Sequence, residues 1–182
     1  MNYATIKKND VANGTGVRVS LFVSGCRHGC RDCFNREAWD FSFGKEFTDD
    51  IASELLSACD KGYIEGLSLL GGEPFEPENQ APILQLLRRF CERFPEKNVW
   101  CYTGFTLGEL YGGSRASTDA AREMLSYIDV LVDGRYEADK RDLMLRFRGS
   151  SNQRIIDMKK TTDISCPVIW DDSTDIPNFE GE

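Results

Sequence analysis

The sequence contains a single histidine, His28, and no apolar run of the roughly 20 residues that a membrane-spanning helix needs. It is also short of positive charge, because 22 Lys and Arg residues stand against 30 Asp and Glu residues, for a formal net charge of -8. Binding to a phosphate backbone requires clustered Lys and Arg, which an acidic surface lacks. We therefore expect neither a membrane nor a nucleic acid as a partner.

A targeting signal is also missing from the first residues. MNYATIKK carries charge, but no apolar stretch and no small-residue cleavage site follow it, so a cytoplasmic protein is predicted. The seven cysteines would then lie in a reducing compartment, where disulfides are disfavoured and thiols are available for metals or chemistry. An odd number of cysteines also fits poorly with a complete disulfide framework.

The length and the apolar periodicity indicate one α/β domain. A chain of 182 residues favours one domain with at most a short appendage. Strand-like and helical segments alternate along it, with strands at 17–23, 66–70, 99–102, 129–132 and 155–156 and helices at 48–61, 79–93, 106–111 and 118–127. Such alternation predicts parallel strands joined by crossover helices. Four or five units cannot close an eight-stranded barrel, so we predict an open, partial (β/α) barrel.

The C-terminal segment differs from the rest of the chain. Residues 159–182 contain many acidic side chains and show little periodicity. We therefore predict a domain over residues 1–158, followed by a loosely packed acidic C-terminal tail over 159–182.

Three cysteines cluster directly after the first predicted strand, in residues 24–35, which we call the cysteine loop. Cys26, Cys30 and Cys33 are separated by three and two residues, so one loop can offer three thiolates to three irons of a cubane cluster. Electron-transfer [4Fe–4S] clusters take four cysteines. A cluster held by this loop alone would keep one iron open for a substrate or cofactor.

Other uses of these thiols remain open at this stage. A zinc site could recruit His28 or a remote cysteine, although zinc favours closed tetrahedral sets and His28 lies between two ligands of the same tight loop. A non-catalytic metal or iron–sulfur binding module is a further alternative. Cys166 could act as a fourth ligand or a redox thiol, whereas Cys59, Cys91 and Cys101 are predicted to be small buried side chains.

A glycine pair follows the second predicted strand, in residues 71–77, which we call the glycine loop. Gly71 and Gly72 let the backbone approach a ligand closely, and Glu73 with nearby carbonyls could accept hydrogen bonds from an ammonium group. Taken alone, Gly-Gly-Glu-Pro is an ordinary turn. Reactive groups gather at the carboxyl ends of parallel strands, so we expect the cysteine and glycine loops to face one another.

Together, the C-x3-C-x2-C triplet and the Gly-Gly-Glu-Pro segment resemble the radical S-adenosylmethionine superfamily. The resemblance implies a partial barrel of the radical S-adenosylmethionine type, whose [4Fe–4S] cluster binds the amino and carboxylate groups of S-adenosylmethionine. The reduced cluster would then split the sulfonium to release a 5′-deoxyadenosyl radical. The implied catalytic and metal-binding residues are Cys26, Cys30 and Cys33, and the implied contacts to the methionine amine are Gly71, Gly72 and Glu73.

The adenine side of the cofactor site departs from the superfamily pattern. Many members place an aromatic residue directly before the third cysteine, where this chain has Asp32 and the aromatic follows as Phe34. The resemblance therefore implies a cofactor contact among Asp32, Cys33 and Phe34 without assigning the adenine to one of them.

Further segments resemble the activating proteins of anaerobic ribonucleoside-triphosphate reductase, in order over residues 1–157. They include NGTGVR, LFVSGC, CFN, YTGFTL, LVDG and FRGSSNQRII. This resemblance implies an activase that makes a glycyl radical on a large reductase partner, with electrons from a low-potential donor. Another enzyme of the superfamily, such as a pyruvate formate-lyase activase, is the nearest alternative.

Two features are assigned with less support from spacing. Arg146, Arg148 and Arg154, with Asn152 and Gln153, form a basic polar stretch that is either a solvated loop or a surface for partner docking or for carboxylate and ribose contact. His28 is predicted to be a loop residue packed beside the cluster, because hydrogen-atom abstraction needs no general acid or base.

Overall fold

The computed structural model describes residues 1–171 of the chain. The strands are β1 (Asn2–Asp10), β2 (Val17–Val23), β3 (Lys45–Glu46), β4 (Ile64–Gly71), β5 (Asn98–Tyr102), β6 (Val130–Asp133) and β7 (Arg154–Asp157). The helices are α1 (Asp49–Cys59), α2 (Pro77–Arg93), α3 (Leu107–Tyr111) and α4 (Asp119–Tyr127), with 3-10 turns at Arg36–Trp39 and Ala138–Lys140. All the strands form one sheet in the order β3-β1-β2-β4-β5-β6-β7.

The centre of the sheet is parallel and its edges are antiparallel. Strands β2, β4, β5 and β6 pair in parallel, and helices lie in the connections between them. Strands β1, β3 and β7 pair antiparallel with their neighbours. The sheet does not close, since β3 and β7 lie at opposite edges. The predicted α/β class and open sheet are thus confirmed, and the predicted parallel pairing holds for the central strands.

The sequence pattern does not predict β1 or β3. Most residues of β1 are polar, and only Tyr3 and Asp10 are buried, so the strand lacks the apolar alternation that marks a half-buried strand. Strand β3 is two residues long and exposed. Both strands depend on tertiary pairing with β2 and with each other.

Threonine caps fix the starts of three helices. The hydroxyls of Thr48, Thr106 and Thr118 accept hydrogen bonds from backbone amides in the first turns of α1, α3 and α4. Helix α2 begins at Pro77, slightly before the predicted residue 79, because proline suits the first helical position. No helix within residues 1–171 is both long and apolar enough to cross a membrane.

The two faces of the sheet have different partners. Alternate residues of β2, including Val19 and Leu21, pack into the large core beneath the helices. The opposite face, which we call the Trp100 face, carries a second cluster around Trp100. Arg18 is fully buried on this face, where its guanidinium donates to the Ser68 hydroxyl at 2.7 Å and lies over the Trp100 ring. Burial lowers the pKa of Arg18 to about 10.

Part of the predicted tail is ordered against the sheet. The Asp157 amide donates to the Val168 carbonyl and the Trp170 amide donates to the Ile155 carbonyl, both at 2.9 Å. The Trp170 ring lies 5.3 Å from the Trp100 ring, between centroids. Residues 168–170 thus contact β7 and the Trp100 ring, and the loosely packed tail over 159–182 stays a prediction. Residues 172–182 of the predicted tail lie outside the described residues, and the boundary at residue 158 stays a prediction.

Candidate functional site

One open cavity lies at the carboxyl ends of the parallel strands and collects most of the predicted site residues. Its lining includes Cys26, Cys30, Cys33, Phe34, Gly71, Gly72 and Glu73. Asp32 is not part of that lining; its side chain is 75% exposed and lies 3.8 Å from the Arg31 guanidinium. The structure thus brings the cysteine loop and the glycine loop to one cavity and leaves Asp32 outside it.

The cysteine loop begins with a backbone bend that only glycine accommodates. Gly25 has φ +94°, and a Cβ at this position would stand 2.3 Å from the Phe41 ring. Its amide donates to the Ala38 carbonyl at 2.8 Å, and the amide of Cys26 donates to the Trp39 carbonyl at 3.2 Å. The first cysteine is therefore held against the 3-10 turn that follows the loop.

The three thiols share the cavity and are partly buried. Burial raises the pKa of the Cys26 thiol to about 12 and also raises the pKa of Cys30, so both are neutral thiols at pH 7 without a metal. Within residues 1–171, no group of three or more His, Cys, Asp and Glu side chains is placed to hold a metal ion. A single ion needs its ligands to converge, whereas a cubane takes one thiolate on each of several irons. Three free thiols around one cavity can supply the three thiolates that such a cluster would take, and the cluster stays a prediction.

The glycine loop is hydrogen-bonded to the end of β2 and to the cysteine loop. The Gly72 amide donates to the Val23 carbonyl at 2.7 Å, and the Glu73 amide donates to the Gly25 carbonyl at 2.9 Å. Gly71 has φ +108°, and a Cβ there would lie 2.7 Å from the Val23 backbone. The prediction that the two loops face one another is confirmed, and the glycines are what permits the contact.

Glu73 lines the cavity but is buried, and its carboxylate accepts several hydrogen bonds from this chain. Its Oε1 accepts from the Phe75 amide and the Thr103 hydroxyl, both at 2.9 Å. Its Oε2 accepts from the Gly104 amide at 2.8 Å and lies 2.9 Å from Nε2 of His28. Both carboxylate oxygens are thus occupied by groups of this chain, and the predicted contact with a ligand amine stays a prediction.

Glu76 is a second buried carboxylate that the sequence pattern does not reveal. It accepts the Arg27 amide at 2.9 Å and the Arg27 guanidinium at 2.8 Å. The Arg115 guanidinium donates to both of its oxygens, at 2.7 and 3.0 Å. Burial alone raises the pKa of Glu76, but the hydrogen bonds from Arg115 and Arg27 outweigh it and hold the pKa below the ordinary value. No spacing rule predicts this anchor, since its partners are distant in sequence.

His28 packs inside the site as predicted. Its side chain is 3% exposed, and its ring lies 4.5 Å from the Phe105 ring, edge to face. Its Nε2 lies 2.9 Å from Oε2 of Glu73. The alternative of zinc with His28 as the fourth ligand is not tested by these contacts.

Phe34 stands at the rim of the cavity. The residue is 63% exposed, and its ring lies 5.3 Å from the Tyr136 ring and 5.2 Å from the Arg141 guanidinium. Tyr136 also lines the cavity. The lining beside the third cysteine therefore includes an aromatic ring, that of Phe34, whereas Asp32 does not belong to the lining.

The predicted basic stretch is mostly engaged within the chain. Arg154 donates to both oxygens of the buried Asp133 carboxylate, and Arg148 donates to the Gln153 carbonyl at 2.7 Å. The Gln153 side chain lines the cavity, accepts from the Gly149 amide at 2.9 Å and donates to the loop after β6. These contacts support a structural role for the stretch, and docking stays a prediction.

The remaining cysteines lie apart from the cavity. Cys59 and Cys101 are fully buried in the main core, as predicted, whereas Cys91 is only partly buried. Cys166 is exposed. All seven cysteines are free.

Comparison with known proteins first defines the class of the chain. Residues 12–156 match the family model described as a 4Fe-4S single cluster domain. This match spans the cysteine loop, the glycine loop and the strands that carry them, so the chain contains an iron–sulfur domain of this class.

Relatives then define the particular family. The chain is 43% identical to the anaerobic ribonucleoside-triphosphate reductase-activating protein of Pasteurella multocida over 157 residues, covering 85% of this chain and 96% of that protein. The proteins of the same name from Vibrio cholerae and Escherichia coli are 41% and 38% identical, over 85% and 84% of this chain and 97% and 96% of theirs. The chain belongs to the family of anaerobic ribonucleoside-triphosphate reductase-activating proteins.

Proposed function

We propose that this protein is a radical S-adenosylmethionine activase, which cleaves S-adenosylmethionine and generates a glycyl radical on anaerobic ribonucleoside-triphosphate reductase. The observation that carries the proposal is the single cavity that joins three free thiols to the Gly71–Gly72 edge. A thiol triplet supplies one ligand too few for a closed cluster, and the glycine edge supplies space for a ligand beside it.

The residues divide into two groups around the cavity. Cys26, Cys30 and Cys33 would hold the [4Fe–4S] cluster, while Gly71 and Gly72 with Glu73 would form the side that receives the methionine amine. A cluster held by these cysteines and reduced by a low-potential donor would supply the electron that cleaves S-adenosylmethionine to methionine and a 5′-deoxyadenosyl radical. That radical would take a hydrogen atom from a glycine of the reductase.

The remainder of the site holds these groups in place. Glu76 and Glu73 fix the start of the cysteine loop through Arg27 and His28. Phe34 offers an aromatic face at the rim, and of the candidates Asp32, Cys33 and Phe34 it is the one suited to stack on an adenine. The cavity is open to solvent, and a peptide of the reductase would enter it and exclude water.

The proposal extends to the architecture and the setting of the protein. We propose that the open sheet with its central parallel strands belongs to a partial (β/α) barrel of the radical S-adenosylmethionine type, within a domain of residues 1–158. The protein would work in the reducing cytoplasm with the reductase and an electron donor as partners.

Anaerobic reconstitution with iron and sulfide tests the proposal. The reconstituted protein is reduced and incubated with S-adenosylmethionine, with and without the reductase, while 5′-deoxyadenosine and the electron paramagnetic resonance spectrum are followed. We expect 5′-deoxyadenosine and a glycyl radical signal that depends on the reductase. Cys33→Ser should abolish both, whereas Cys166→Ser, at an exposed cysteine outside the cavity, should retain both. A metal-loaded protein that never cleaves S-adenosylmethionine would show that it is a binding module instead.

A further inference from the structure

Three loops at the carboxyl edge of the sheet meet at one carboxylate. Glu73 accepts hydrogen bonds within its own glycine loop and from Thr103 and Gly104 in the loop after β5. The fourth partner is Nε2 of His28, which belongs to the cysteine loop. Glu73 therefore joins the segments that follow β2, β4 and β5.

His28 has little freedom to move away from this carboxylate. Its ring is enclosed by Phe105 and by Gly104, where a Cβ would stand 2.5 Å from the imidazole. The side chains of His28 and Glu73 are 3% and 0% exposed. Nδ1 of the imidazole is buried and finds no hydrogen-bond partner in the described chain, so the bond to Glu73 is the polar contact that orients the ring.

Other contacts hold the first part of the cysteine loop. Glu76 holds Arg27 through both its amide and its guanidinium, the Asn79 side-chain amide donates to the Ser24 carbonyl at 2.9 Å, and the Glu73 amide donates to the Gly25 carbonyl. These contacts fix the backbone on either side of Cys26. What the His28–Glu73 bond adds is a side-chain tie from the residues between Cys26 and Cys30 to the residue that follows the glycine pair.

We infer that His28 and Glu73 form a positioning pair, which holds the part of the cysteine loop between Cys26 and Cys30 in place relative to the Gly71–Gly72 edge. The inference rests on the proposed function, since S-adenosylmethionine would have to reach both sides of the cavity at once. A ligand held at two points loses affinity when one point shifts against the other, just as a displacement of about 1 Å can cost roughly 100-fold in rate at a precisely oriented site. His28 acts here through Glu73 and not on the cofactor itself.

Three variants of the full chain separate this role from a purely structural one. His28→Phe keeps a flat ring against Phe105 and removes the donor, whereas His28→Gln keeps an N–H donor of similar reach. Arg31→Gln is the matched control, because Arg31 lies in the same loop, is 64% exposed and contacts Asp139 instead of Glu73. Each protein is reconstituted, and its iron content, the unfolding temperature of its iron-free form and its affinity for S-adenosylmethionine are measured.

We expect His28→Phe to retain the iron content and the unfolding temperature of the unmodified protein. Its affinity for S-adenosylmethionine should fall between about 10-fold and 100-fold, the range that corresponds to the loss of one hydrogen bond to a charged group. The change that S-adenosylmethionine makes in the spectrum of the reduced cluster should then require correspondingly more ligand. His28→Gln should bind within about threefold of the unmodified protein, because the hydrogen bond to Glu73 is kept, and Arg31→Gln should be unchanged.

Several results would overturn the inference while the proposed function stands. One is an unaltered affinity in His28→Phe, and another is a loss in His28→Gln as large as that in His28→Phe. A fall in affinity matched by a fall in unfolding temperature would show that His28 only stabilises the fold. If the unmodified reconstituted protein neither binds nor cleaves S-adenosylmethionine, both the proposed function and this inference are wrong.

Discussion

Gly72 and Gly25 approach so closely that a Cβ on Gly72 would stand 2.7 Å from the Gly25 carbonyl oxygen. The contact is between backbones, so neither side can yield by rotating a side chain. It joins the loop that carries the thiols to the loop that carries the glycine pair, and both loops line the cavity.

Gly72→Ala should therefore destabilise the protein. The added methyl group would force the two backbones apart, at a cost of about 1–3 kcal/mol in the free energy of unfolding. Urea unfolding of the iron-free protein measures this cost. Gly108→Ala is the matched control, because Gly108 lies in α3 with no atom within 4 Å of its Cβ position. That substitution should be neutral or stabilising, by up to about 1 kcal/mol; equal losses in both variants would contradict the steric explanation.

Glu76→Gln should weaken the anchor of the cysteine loop. The neutral amide loses the charge-assisted bonds from Arg27 and Arg115, so the free energy of unfolding should fall by about 1.5–3 kcal/mol at pH 7. The control is Glu78→Gln. Glu78 also binds Arg27, but it is half exposed, so this substitution should change the free energy of unfolding by much less.

The contribution of Glu76 should also depend on pH. Its pKa in the folded protein lies below the ordinary value, so the folded state binds fewer protons than the unfolded state in the acid range. The stabilisation is complete above the unfolded pKa of about 4.3 and is lost as the pH falls through the folded pKa. The difference in unfolding free energy between the unmodified protein and Glu76→Gln should shrink on acidification below that value, and a constant difference would show that the charge of Glu76 is not its source.

Phe34→Ala should lower the affinity for S-adenosylmethionine more than Asp32→Asn does. Phe34 lines the cavity and offers a ring face, whereas the Asp32 side chain is 75% exposed and lies outside the lining. Loss of a stacked ring costs about 1–3 kcal/mol, or roughly 5-fold to 150-fold in affinity. Asparagine is the suitable control at position 32 because it tolerates the φ of +58° found there. Calorimetric titration of the reconstituted proteins decides between them, and a larger loss in Asp32→Asn would reverse the assignment.

Trp170→Ala should show that the segment after residue 158 contributes to stability. The Trp170 ring packs against Trp100 and against Phe147, with centroids 5.3 and 6.2 Å away. Its removal should lower the unfolding free energy by about 1–3 kcal/mol. Ile164→Ala, at a residue that is 43% exposed in the same segment, should change it much less. If both variants have the same free energy of unfolding as the unmodified protein, residues 168–170 do not contribute to its stability.

The apolar pattern predicts the central elements of the fold because their burial is one-sided or complete. Helix α1 shows this, with Leu55 and Cys59 on its buried face, and β6 is buried at every residue. Strand β1 escapes prediction because Lys7 and Lys8 are exposed and its pairing is set by β2. The apolar pattern of a segment shows which of its side chains are buried, but it does not show which other segment packs against them or pairs with its backbone.

The site is predictable where one short segment carries the chemistry. The spacing of Cys26, Cys30 and Cys33 predicts that they share a site, and the glycine pair becomes a candidate only when it is considered together with this triplet; both sets line one cavity. The contacts of Glu73 and Glu76 are different, since their partners come from elements far apart in the sequence and become neighbours only after the sheet has formed. Neither carboxylate could be assigned its partners before the fold was known.

The buried Arg18 ties the loop before β2 to the middle of the sheet. Its guanidinium lies over the Trp100 indole and donates to the Ser68 hydroxyl of β4, to the Asn98 carbonyl of β5 and to the Thr15 carbonyl of the loop. The Ser68 hydroxyl in turn donates to the Asn13 carbonyl at 2.6 Å. A change at Arg18 would therefore leave these loop and sheet carbonyls without their charged donor while removing no residue from the lining of the thiol cavity.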